Sequence, residues 1–80
     1  MGIEALREVF AAALEIAPER VNAELAYNSI EEWDSTAHMA LVAAIEQRFG
    51  VMLQTQEVLD LSSFGKAAEI LRRHGVAFDE

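Results

Sequence analysis

Apolar side chains recur at three- and four-residue steps in three stretches of the chain, the period of helices with one buried face. The first stripe is Ile3, Leu6, Phe10, Ala13 and Leu14, which predicts a helix over residues 3–15 with Glu4, Arg7, Glu8 and Glu15 off the buried face. Pro18 marks its end, because a proline disfavours helical backbone at Ala17. The second stripe, Met39, Val42, Ile45 and Phe49, is widened by Leu41 and Ala44 and predicts a helix from Ser35 to Phe49. Alanines at 37, 40, 43 and 44 raise its helix propensity. Asp34 stands where an N-cap belongs, Gly50 where a left-handed C′ residue belongs, and Arg48 suits the negative end of the helix dipole. The third stripe, Phe64, Ala67, Ala68 and Leu71, predicts a helix over residues 63–74. It is capped by Ser62 or Ser63, carries Arg72, Arg73 and His74 in its last turn, and is ended by Gly75. Between the second and third, Thr55 is expected to cap a short helix from Gln56 to Asp60, with Glu57 near its start.

Residues 16–34 form a connection too long for a structureless loop in a compact domain. Ile16, Val21, Leu25, Tyr27 and Ile30 are spaced along it as anchors, and its charges are mostly acidic. The expected fold is therefore all-α: a small up-and-down bundle of three main helices plus one short helix, with a long first loop. Residues 1–75 make the domain, and residues 76–80 are expected to be a loosely packed tail.

Composition narrows the function. Eighty residues allow one domain, and an apolar fraction of 52% is enough for a core in a chain without cysteine. No apolar run approaches the ~20 residues of a membrane span, and no signal-like segment opens the chain, so a cytoplasmic monomer is expected. Fourteen acidic against six basic residues give a net charge of −8, which opposes binding to nucleic acid and favours partners with basic patches. Neither His pairs at i, i+4 nor a calcium-loop pattern is present, so no metal site is expected.

The chemistry concentrates at the start of the second helix. Ser35 would be its first residue, with its hydroxyl near the positive end of the dipole, where a phosphate is favourably placed. Asp34, Ser35 and His38 also invite comparison with a hydrolase triad. Neighbouring positions on one helix end do not supply the geometry or a separate oxyanion hole, and no Gly-x-Ser-x-Gly elbow surrounds the serine.

Trp33-Asp34-Ser35-Thr36, followed by Glu46-Gln47-Arg48-Phe49-Gly50-Val51 and Leu61-Ser62-Ser63-Phe64-Gly65, resembles the acyl carrier proteins over nearly the whole chain. The resemblance implies a non-catalytic carrier in which Ser35 bears 4′-phosphopantetheine, taken from coenzyme A by a phosphopantetheinyl transferase, with Asp34 as part of the motif. The arm would hold an acyl or aminoacyl thioester. It would pass that cargo among loading ligases, synthases or transferases of a fatty-acid, polyketide-like or specialised pathway. Trp33, Thr36, Ala37, Met39, Glu46 and Glu57 are the expected partner-binding residues.

The match departs from the family at two places. Thr36 replaces the usual Leu after the serine, and Ala37, Ala40, Gln47 and Arg48 stand where many fatty-acid carriers place acids. These departures point to a specialised discrete carrier. They also keep open an unmodified helical adaptor that retained the fold. A peptidyl carrier fits less well, since Glu32-Trp33 stands where that family commonly has Gly-Gly. The small alanines of the second helix suggest, in addition, that an acyl chain enters between the helices.

Overall fold

The computed structural model describes residues 2–78. Its elements are α1 (Ile3–Leu14), a 3-10 turn (Pro18–Arg20), α2 (Ser35–Phe49), α3 (Thr55–Asp60) and α4 (Phe64–Arg73). The expected all-α bundle of three main helices and one short helix is what forms.

α1 buries Leu6, Val9, Phe10, Ala11 and Leu14. It stops before Pro18 can act: Glu15 adopts the left-handed conformation (φ 58°), and the Ile16 N–H returns to the Ala11 carbonyl at 3.0 Å. That reversal turns Ile16 inward, where it is buried.

The long connection is anchored, as its spaced apolar residues suggested. Val21 and Leu25 are buried, Ile30 packs partly against the core, and Tyr27 is 39% exposed. Two features of it went unforeseen. One is the 3-10 turn. The other is an isolated antiparallel bridge between Ala26 and Ser63, in which Tyr27 N donates to Ser62 O at 2.9 Å and Phe64 N to Leu25 O at 3.0 Å. Arg7 Nε also donates to Val21 O at 3.0 Å, tying the loop to α1.

The core centres on Phe10, which meets Trp33 and Phe64 edge-on at centroid distances of 5.5 and 5.1 Å. Such contacts add about 0.5–1.5 kcal/mol each beyond burial. α2 contributes Leu41, Val42 and Ile45. Met39, expected on that stripe, is 58% exposed. At ~100° per residue the inward face runs through His38, Leu41, Val42, Ile45 and Phe49, and Met39 lies about a quarter-turn away.

α3 starts one residue earlier than expected. Its N-cap is Gln54, whose N–H donates to the Glu57 carboxylate at 3.0 Å, rather than Thr55. None of its residues is buried. α4 is capped by Ser63, whose Oγ accepts from Lys66 N at 3.0 Å. Beyond Gly75 (φ 92°) the chain does not hang loose. Val76 and Phe78 pack against the core, Phe78 meeting Phe49 edge-on at 5.9 Å with the Arg72 guanidinium over its ring. Residues 79 and 80 of the expected tail lie outside the described residues.

Candidate functional site at the start of α2

Asp34 is extended (φ −102°, ψ −173°), and its Oδ1 accepts from Ala37 N at 2.8 Å. This cap fixes where the helix begins, and so places Ser35 as its exposed first residue. The hydroxyl thus stands on a rigid base at the positive end of a 15-residue helix. A phosphoryl group attached there suits the local field.

Ser35 lies between two hollows. On one side is a largely apolar cleft of about 340 Å³, floored and walled by Met39, Val58, Leu59 and Leu61, with Tyr27 and His38 beside it. Leu59 is 71% exposed, so α3 presents apolar surface to solvent at the rim. On the other side, Asp34, Thr36, Ala37 and Ala40 line a shallower groove of about 430 Å³ with Glu31 and Glu32. The alanines expected to admit a chain between the helices do not line the apolar cleft; Ala37 and Ala40 face this acidic groove instead. Glu32 pairs with Arg20 through two contacts of 2.9 and 3.2 Å. The hydrogen bond from that guanidinium holds the Glu32 carboxyl below its usual range.

Three of the expected partner-binding residues are used inside the protein. Trp33 is fully buried. Its indole packs on Phe10 and its Nε1–H donates to His38 Nδ1 at 3.0 Å, so it is a core anchor and not an exposed recognition residue. Glu46 is half-buried and accepts the Leu53 N–H at 2.8 Å, closing the α2–α3 loop. Glu57 caps α3 and lies 3.0 Å from His74 Nε2 through both oxygens. The Gln54 N–H first, and then His74, hold the Glu57 carboxyl below its usual range. Thr36, Ala37 and Met39 remain at the surface or its edge around Ser35.

The sequence set His38 only beside Asp34 and Ser35, as a triad candidate. It is partly buried between loop and helix: Nδ1 accepts from Trp33, and Nε2–H donates to Val58 O at 2.9 Å. With both nitrogens so engaged, and the Asp34 carboxylate turned to Ala37, the three residues do not form a hydrolase relay. The signal for His38 was a polar residue in register with Leu41, Val42 and Ile45 on an inward face. Among the described residues, no group of three or more His, Asp or Glu is placed to hold a metal ion, and no helix is long and apolar enough to cross a membrane.

Fold and site together define a small helical protein that presents a serine on a fixed helix end beside an apolar cleft. The chain belongs to the phosphopantetheine-attachment family: the model of the phosphopantetheine attachment site matches residues 4–71, from α1 into α4. Members of this family bear 4′-phosphopantetheine as prosthetic group and are generally non-catalytic carriers. No individual curated protein matches the chain.

Proposed function

We propose that Ser35 is the attachment point of 4′-phosphopantetheine and that the protein is an acyl, or aminoacyl, carrier. The reading rests on one observation above others. In a chain of this family, the exposed serine follows a capping aspartate and opens onto an apolar cleft. The serine needs no activation within the chain, because a separate transferase would deliver its Oγ to the β-phosphate of coenzyme A. The arm would bring a thiol on which a thioester can be carried. The chain's own residues would set its base: Asp34 fixes the helix start, the α2 dipole favours the phosphoryl group, and Met39, Val58 and Leu59 offer apolar surface to the cargo.

Recognition would rest on Thr36, Ala37 and Met39, with acids supplied by Glu31 and the loop before the serine rather than by α2. A partner shaped for an acidic second helix would find Ala40, Gln47 and Arg48 there instead. We therefore read the protein as a specialised carrier, a cytoplasmic monomer serving a dedicated ligase or transferase with a basic docking patch. Elongation on it by ordinary fatty-acid synthase enzymes at full rate would refute that specialisation. Conversion to a form bearing one arm, followed by loading from a candidate ligase, tests the function itself. The adaptor alternative, which Thr36 and the acid-poor α2 keep open, requires that no arm be accepted.

A further inference from the structure

Both histidines of the chain hold α3. This six-residue helix buries none of its own side chains, yet Val58 and Leu59 form one wall of the cleft beside Ser35. Leu53 and Leu61 anchor the chain on either side of it. Within α3 itself, Val58 packs partly against the core, and two polar links add to the attachment: His38 Nε2–H to Val58 O at 2.9 Å, and His74 Nε2 to the Glu57 carboxylate at 3.0 Å.

The His38 link has a feature that the His74 link lacks. The same imidazole accepts the buried Trp33 Nε1–H on its Nδ1, so it joins the loop that ends at Asp34 to α3 across the first turn of α2. Only the neutral ring with its proton on Nε2 does both. We infer that His38 is a positioning residue for the carrier site: its neutral imidazole clips α3 onto the body, and its protonation releases the clip and opens the cleft beside Ser35. A protonated ring has no acceptor for Trp33, so two donors would face each other at 3.0 Å. The ring must then leave the indole, and its bond to Val58 O is lost as it turns.

Among the described residues, no carboxylate forms an ion pair with His38. From the loop, Tyr27 faces the ring edge-on at 5.4 Å. On its own helix, the Asp34 carboxylate is turned to Ala37 N. On α3, Glu57 is held by Gln54 and His74, and Asp60 makes no ion pair with His38 among the described residues. The His74 link responds in the opposite sense. Its Nε2–H faces Glu57 in either state and gains charge on protonation, with Arg73 adding to the positive side. Acidification should thus free the His38 side of α3 while the His74 side holds.

The clip itself does not depend on the carrier reading; only its consequence for cargo rests on it. The test uses the unmodified full chain and follows amide and indole resonances from about pH 8 to 5, the window in which imidazoles protonate. The parent should show His38 as the Nε2–H tautomer by ring nitrogen shifts at the alkaline end. The Trp33 indole and the Val58 and Leu59 amides should then move with one shared inflection, and α3 amide protection should fall about tenfold on the acid side, as the loss of a hydrogen bond gives. H74Q should keep the shared inflection. H38Q, which retains a donor and an acceptor but does not titrate, should lose it and keep α3 protected throughout. Persistence of the inflection in H38Q, separate inflections for the indole and α3, or an Nδ1–H tautomer would each overturn the clip. Arm attachment, scored separately by mass, can fail or succeed whatever these spectra show.

Discussion

Replacing Trp33 is the sharpest test of how the site is supported. The side chain is fully buried, edge-on to Phe10 at 5.5 Å and to Tyr27 at 6.2 Å, and nearly parallel to the His38 ring (19°) with centroids 6.1 Å apart. A buried aromatic of this size removes about 200 Å² from water, so at ~25 cal/mol/Å² the full side chain contributes about 5 kcal/mol. Trp33→Ala keeps the β-carbon but leaves a cavity, and about 3–5 kcal/mol is the expected loss. For a domain of this length the whole stability is on the order of 4–12 kcal/mol, so the variant should sit near the edge of folding. Trp33→Phe keeps most of the apolar volume, loses the bond to His38, and should lose about 1–2 kcal/mol. Urea unfolding followed by far-ultraviolet circular dichroism, which does not need the indole, reads both. With a slope of about 1 kcal/mol/M, Trp33→Ala should lower the midpoint by about 3 M or abolish the transition. A loss below about 1 kcal/mol, with partner affinity reduced, would refute the burial argument and restore Trp33 as a recognition residue.

Other expectations follow from single contacts. Asp34→Ala removes the cap and should lower stability by about 1 kcal/mol, whereas Asp34→Asn should stay close to the parent; thermal unfolding compares them. Gly50→Ala meets no atom within 4 Å but must hold φ +67°, so its loss of about 1 kcal/mol would be purely conformational. Because the folded Glu57 carboxyl is held below its ordinary value, its stabilisation is present above that value and is lost as pH falls through the lower folded one. The difference in urea midpoint between the parent and Glu57→Gln should therefore shrink in acid as the carboxyl protonates. Leu59→Gln, at a 71% exposed position, should change stability by less than about 0.5 kcal/mol yet weaken protection of a bound acyl chain from a thioesterase.

The parts legible in the sequence were those set by local chemistry. Asp34 and Gly50 bracket α2 to the residue because a cap and a left-handed C′ position are decided within one turn. Ser35 is placed by the same cap. What sequence pattern missed depended on contacts between distant residues. The Ala26–Ser63 bridge joins segments 37 positions apart (63 − 26), and nothing in either segment alone announces it. The Met39 assignment failed because the positions three and four before Val42 are both compatible with an apolar stripe through it, and only packing showed that His38, about 100° round the helix from Met39, is the one turned in. Glu46 and Glu57 looked like free surface acids because their partners are backbone N–H groups of Leu53 and Gln54, which every sequence possesses. Gln54 was passed over as a cap because Thr55, beside it, is the more usual capping type.

The central claim is that Ser35 bears the arm. Intact mass after incubation with coenzyme A and a broad-specificity phosphopantetheinyl transferase, beside a Ser35→Ala control, tests it most directly. The account predicts a gain of one phosphopantetheine in the parent and none in the control. No gain in a folded parent would favour the adaptor, and a gain in both would mean that another serine is the acceptor; either result contradicts the account.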